Sequence, residues 1–241
     1  MKAVWESWRG VRAVARWVVY TPAMCLRIGR AKSKDDGRRI LINSLKPLLR
    51  TFRLKTEVLG TPPAPGQGCV VCYNETSFAD VFVFPSTVMP QVDRLAAADA
   101  YALIPFARRA CRVIGIELVP RGRRAATDRL MAEVVTHLQN GERIAWGGEG
   151  KLSARDGVAR FKRGAFLLAI RAGVPIIPVA FYGGHQALPK LSLRARPGTI
   201  YVHFGDPIPT EGWHEDDVRD LADQTQAVVA GMYADLKAEF G

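Results

Sequence analysis

The sequence predicts an α/β fold, a layered domain with a largely parallel central sheet flanked by helices, preceded by an amphipathic helical segment. Three observations predict it. Beyond residue 68, short apolar runs alternate with stretches of helical period, the pattern of β-α-β units and a parallel sheet. The first thirty residues instead repeat tryptophans and valines at three- and four-residue intervals with arginines between them. A chain of 241 residues, 48% hydrophobic, is long enough to bury one substantial core. The expected division is an N-terminal helical segment and connector over 1–60 and one domain over 61–241.

In chain order, Trp5, Trp8, Val11, Val14, Trp17, Val18 and Val19, interleaved with Lys2, Arg9, Arg12, Arg16, Arg27 and Arg30, describe a helix suited to lie along a membrane interface. Packing of the same stripe on the protein's own core is the alternative. No stretch reaches the roughly 18 to 20 apolar residues of a spanning helix, and the interrupting arginines argue against a cleaved signal peptide. Thr61, Pro62, Pro63, Ala64, Pro65 and Gly66 open a loop. After it the pattern predicts a strand at 69–73, a helix through Asp80 and Val83, a strand at 113–119, a helix at 127–139 and a strand at 143–146. A helix at 163–172, strands at 176–182 and 200–204, and a helix at 215–239 complete it. The last helix carries Val218, Leu221, Val228, Val229, Met232, Tyr233 and Leu236, a core-facing stripe.

The charge balance, 34 Lys and Arg against 23 Asp and Glu, gives a net charge of +11 and favours an acidic partner. The basic residues are spread along the chain, without zinc-finger spacing or an aromatic ribonucleoprotein box, so nucleic acid is not the expected partner. Cys25, Cys69, Cys72 and Cys111 are too few and too scattered for a disulfide framework, which suits a reducing compartment. Cys69 and Cys72 have metal-like spacing but sit in an apolar run with no second ligand pair, and read as small buried hydrophobes.

Four blocks stand out: Asn74-Glu75-Thr76-Ser77-Phe78-Ala79-Asp80; Gly147-Gly148-Glu149-Gly150-Lys151-Leu152-Ser153; Phe161-Lys162-Arg163-Gly164-Ala165; and Gly173-Val174-Pro175-Ile176-Ile177-Pro178. In this order and at these distances the chain resembles the PlsC-like glycerolipid acyltransferase family, from about residue 40 to its end. The segment from Phe161 to Val179 carries most of the resemblance, and Phe204-Gly205-Asp206-Pro207 is similar to the family's closing strand and turn. Two blocks depart from the family pattern. Its first motif is His-x-x-x-x-Asp, and Glu75 stands at the His position. Its third is Phe-Pro-Glu-Gly-Thr-Arg-Ser, of which Glu149, Gly150 and Ser153 match.

The resemblance implies acyl transfer, which needs a base for the alcohol proton, donors for the developing oxyanion and a cation for a phosphate on the acceptor. Glu75 and Asp80 are the implied catalytic pair. They lie five residues apart, so Glu75 placed just before a helix lets the two side chains face each other. Neighbouring carboxylates that cannot both ionise easily, in a buried site, raise a carboxyl toward neutrality, where it becomes a useful base. Ile104-Pro105-Phe106, then Gly115 to Arg121, resembles the second block, so Arg121 is the implied phosphate grip through its bidentate fork. Family members often carry a Lys upstream, and Ala98 stands there. Glu149, Gly150, Lys151, Ser153 and Pro175 complete the implied substrate wall. Of the histidines His137, His185, His203 and His214, only His185, in a loop after a core strand, offers itself as a substitute base.

The family implies no metal or bound cofactor. Its donors are acyl-CoA or an acyl carrier protein, its acceptor a lysophospholipid or related lipid with an amine also conceivable, and its setting the anionic cytoplasmic face of a membrane, held peripherally. A member that binds lipid or carrier protein after losing its chemistry is the alternative that Glu75 leaves open.

Overall fold

Seven strands form one sheet in the computed structural model, which describes residues 2–153, 156–188 and 195–241 and, within its first helix, the side chains of Trp8, of Gly10 to Arg12 and from Val14 onward. The strands are β1 (Leu54–Gly60), β2 (Cys69–Tyr73), β3 (Arg94–Ala98), β4 (Ile116–Val119), β5 (Arg143–Gly147), β6 (Ile176–Tyr182) and β7 (Gly198–Phe204), in the order β1-β7-β6-β2-β5-β3-β4. Every neighbouring pair is parallel except β6 with β7. The α/β class and the parallel centre are therefore as expected.

Helices α1 (Lys2–Gly29), α2 (Lys34–Phe52), α3 (Phe78–Thr87) and α4 (Ala107–Ile114) cover one face of the sheet. Helices α5 (Arg124–Gln139), α6 (Gly164–Ala172) and α8 (Val218–Phe240) cover the other, and α7 (Gly184–Ala187) is a single turn after β6. Alternation within β2 divides its side chains: Cys69 and Val71 join the first core, Val70 and Cys72 the second. All seven residues of β6 are buried, as a central strand covered on both faces requires.

Helix α1 splits its apolar residues between two uses. Met24, Cys25 and Ile28 are buried in the first core, whereas Val11, Val14 and Val18 face solvent and Trp8 and Val19 are 63% and 80% exposed. The expected parts of Lys2, Trp5 and Arg9 lie outside the described side chains. Among the described residues no helix is long and apolar enough to cross a membrane.

The connector is more structured than its composition suggests. Ser33 caps α2 by accepting from the Asp36 N–H, and Leu41, Leu45, Leu48 and Phe52 recur at helical spacing on its buried face. Arg38 staples α2 to the body, donating to the carbonyls of Val92 at 2.7 Å, Asp93 at 2.8 Å, and Met89 and Ile114 at 3.0 Å. Strand β1 pairs in parallel with β7 from Leu54 to Gly60, so the sheet begins before the division expected at residue 60.

One expected element changes type in part. The strand predicted over 113–119 is helical through Ile114, because Ala107, Ala110, Cys111 and Ile114 form a buried stripe of helical period. Gly115, at φ 80, ends α4 in the left-handed region, and the strand begins only at Ile116.

Candidate functional site

Parallel strands deliver their carboxyl ends to one edge of the sheet, where ligands bind in open α/β folds. Glu75 follows β2, Arg121 follows β4, and Gly148 to Ser153 follow β5. The chain fixes these loops locally. The Asn74 side chain donates to the Phe181 carbonyl at 3.0 Å and accepts from its N–H at 2.7 Å, extending the β2–β6 pairing by one side chain. Gly148 N–H donates to the Tyr73 carbonyl at 2.9 Å, and Ser153 reaches the Glu75 carbonyl with its N–H at 2.8 Å and its hydroxyl at 3.2 Å. The loops after β2 and β5 are thus sewn together around Glu75.

Three carboxyl groups meet there. Glu149, only 2% exposed, accepts through one oxygen from the backbone N–H groups of Glu75 and Ala159, each at 3.2 Å. Asp80 turns one oxygen to the Thr76 and Ser77 N–H groups at 2.9 and 2.8 Å and to the Thr76 hydroxyl at 3.0 Å, while Ser77 caps the helix in return. Asp80 is committed to building the first turn of α3. Its other oxygen, Oδ1, is buried without a hydrogen-bond partner, and of the two neighbouring carboxylates Glu149 affects Glu75 more than Asp80 does.

The electrostatics follow from burial. Desolvation, then the charge of Glu149, pushes Glu75 up to about 7, with Asp80 adding a smaller push; the Gly150 N–H and the Arg121 guanidinium pull the other way. Burial likewise lifts Asp80 to about 6 against its three hydrogen bonds. It raises Glu149, opposed by the N–H groups of Ala159 and Glu75 and by the Ser153 hydroxyl. Glu75 therefore holds or releases a proton near neutrality, as a general base must.

Glu75, Asp80, Arg121, Gly150 and Lys151 line a single cavity of about 460 Å³, within the range of about 300 to 1,000 Å³ usual for small-molecule sites. Arg121 also donates to the Gly150 carbonyl. The rest of the cavity wall is overwhelmingly apolar, with Trp17 and Met24 from α1, Leu45 from α2, Leu95 and Ala97 from β3 and Ala110 from α4. Polar groups and an apolar wall thus share one cavity.

Not every implied residue reaches it. Glu149 and Ser153 act behind Glu75, holding its backbone. Pro175 stands before the first residue of β6, where its carbonyl accepts from Val70 N–H at 3.0 Å. Because β2 and β6 run in parallel, that is the amino end of the sheet, opposite Glu75, and Pro175 is no part of the wall. His137 pairs with Glu142 at 3.1 Å, and no histidine among the described residues lines the cavity. Sequence reasoning missed Tyr73, Tyr101 and Trp146, which do; Tyr101 and Tyr73 are half-buried, each held above its ordinary range chiefly by desolvation and then by the Glu75 charge.

A family model described as Acyltransferase matches residues 55–182. The chain is similar to the 1-acyl-sn-glycerol-3-phosphate acyltransferase of Escherichia coli (strain K12), 34% identical over 202 residues covering 83% of this chain and 80% of that protein. It is also similar to 1-acyl-sn-glycerol-3-phosphate acyltransferase alpha of Bos taurus, 26% identical over 231 residues, 92% of this chain and 78% of that protein. In three dimensions it resembles the crystal structure of the 1-acyl-sn-glycerophosphate (LPA) acyltransferase PlsC from Thermotoga maritima, with a TM-score of 0.72 at 18% identity, over 99% of this chain and 98% of the other.

Proposed function

The chain belongs to the acyltransferase family, and from that premise we propose that it moves a fatty acyl group from an acyl-CoA or acyl-carrier-protein thioester to the hydroxyl of a 1-acyl-glycerol-phosphate type acceptor. The relatives' names carry that acceptor. The observation that carries the reading is the half-buried Glu75, its Oε2 shut away from water and its carboxyl held near neutrality, in the wall of an apolar cavity that also exposes Arg121 and Lys151.

In the proposed step Glu75 accepts the hydroxyl proton as the acceptor oxygen attacks the thioester carbonyl. A C–O bond forms, the C–S bond breaks, and the departing thiolate takes up a proton. A carboxyl near 7 matches the basicity of an imidazole, whose ordinary pKa is about 6.5. Glu149 and Ser153 position Glu75, Asp80 builds the turn beneath it, and Arg121 with Lys151 supply the positive charge a phosphate needs.

The protein works at a membrane surface in this reading. The exposed Trp8, Val11, Val14, Val18 and Val19 of α1 share a helix with the exposed Arg12 and Arg16, the composition of an interfacial helix on anionic lipid. Four free cysteines, all buried, suit the cytoplasmic face. The test is product formation by purified protein from acyl-CoA and from acyl carrier protein, with a panel of lysophospholipids and amines. A lysophosphatidate product that disappears in Glu75→Gln supports the reading. No product with any acceptor, alongside retained lipid binding, would instead make this a binding member of the family.

A further inference from the structure

Strand β5 ends at Gly147, and nothing in the backbone there calls for glycine, since Gly147 is not among the residues of positive φ. Space calls for it. A Cβ built at residue 147 would stand 2.5 Å from Glu75 Oε2 and 2.7 Å from its Cδ, closer than real Cβ atoms come to heavy atoms, and 3.1 Å from its Oε1. The Glu75 carboxyl occupies the volume that any side chain at residue 147 would fill. Next door, a Cβ added at Gly148 would stand 2.8 Å from the Phe161 ring, so this residue too is closely packed.

The seat also sets the surroundings of the carboxyl. Glu75 Oε2 is buried without a hydrogen-bond partner. The glycine lets the carboxyl lie against the backbone of β5, within the field of Glu149 and beside the Gly150 N–H. A side chain at residue 147 would push it outward toward Arg121 and water. Residues 75 and 147 lie 72 positions apart in the chain, and the structure puts them in contact.

We infer that Gly147 is a positioning residue for the base: by carrying no side chain it seats the Glu75 carboxyl on the end of β5, and the two residues act as one unit. The inference rests on Glu75 being the base, and two experiments separate the failure of one from the failure of the other. Turnover and pH profiles are measured for the parent, Gly147→Ala, Glu75→Asp and the double variant. Gly147→Ala is expected to lose about tenfold or more in kcat with little change in acceptor KM, and to move the acidic limb of kcat/KM about one pH unit lower as the carboxyl gains water. In the Glu75→Asp background, whose shorter side chain leaves room for a Cβ, the further loss from Gly147→Ala is expected to fall below about threefold. An unshifted limb, or an equal loss in both backgrounds, overturns the inference.

The second experiment is a thermal cycle that needs no activity. Gly147→Ala should shift Tm measurably in the parent and by much less in Glu75→Ala, where the seat is empty. Equal shifts overturn the contact. Coupled shifts in Tm together with full activity in Glu75→Gln would keep the seat and remove Glu75 as base.

Discussion

The two faces of the sheet are packed to different standards. Behind it, Phe161, Phe166, Leu168, Ile176, Leu221 and Val229 lie fully buried between the sheet and α5, α6 and α8. In front, between the sheet and α1 to α4, equally apolar residues surround a hollow of about 460 Å³. Protein interiors ordinarily leave few voids larger than a water molecule. Small side chains help to keep one there: β3 contributes only Leu95 and alanines to the wall, and α4 contributes Ala107 and Ala110 beside Cys111 and Ile114. The lesson is a division of labour: the solid face supplies rigidity, and the strand ends on the hollow face spend it on a precisely held carboxyl.

Truncation should distinguish the faces most sharply. Phe166→Ala on the solid face is expected to cost about 3 to 5 kcal/mol of stability in chemical denaturation, whereas Leu95→Ala, beside the existing void, should cost less. Equal losses would mean that the hollow is filled in solution. Next comes Glu75→Gln, expected to lower turnover by about 10² or more while raising stability at high pH. The sign follows from the raised pKa: the folded state keeps a proton that the unfolded state releases above about 4.5, so stability falls as pH rises from about 4.5 to about 7. Removing the group should recover on the order of 2 kcal/mol at pH 8 and little at pH 4, read as the Tm difference between Glu75→Gln and parent.

Smaller effects refine the comparison. Arg121→Ala should raise the KM for a phosphorylated acceptor about tenfold with kcat less affected, since it removes a surface cation and leaves the base in place. The gentlest contrast is one substitution made on both faces. Ala169→Leu behind the sheet should cost about 1 to 3 kcal/mol by overpacking, while Ala110→Leu should cost under about 1 kcal/mol and slow transfer of long acyl chains more than short ones. Identical chain-length profiles for Ala110→Leu and parent would detach the hollow from the acyl chain.

How much of this was legible depended on how loudly each residue set declares its environment. Strands β2, β5 and β6 are short apolar runs bounded by loop residues, and α5, α6 and α8 carry buried stripes of helical period, so all six were readable. Strand β1 was not: only Leu54 in it is buried, and it exists because its backbone pairs with β7. Strand β3 is mostly alanine, the strongest helix former and a residue depleted in strands, so its sequence hides it. At α4, the β-branched Val113 and Ile114 suggested a strand, but their helical packing against α1 and α2 prevailed.

The site shows the same limit. Glu75, Glu149, Gly150 and Arg121 were marked by their spacing within blocks, and they do converge. Pro175 carried as strong a mark and lies at the far edge, because a block records sequence neighbourhood and not which end of a strand it occupies. Gly147 carried almost none, since a glycine at a strand end reads as a turn.

By itself, the sequence determined the class of fold, the acyltransferase resemblance and a glutamate in the block that follows the first core strand, because periodicity and spacing are local properties of the chain. Only the tertiary structure decided that Asp80 caps a helix, that Glu149 is the charge beside Glu75, that a glycine 72 positions away gives the carboxyl its seat, and that four helices leave a hollow beside it. Burial, distance and empty volume arise when separate strands are brought side by side, and no single stretch of chain encodes them.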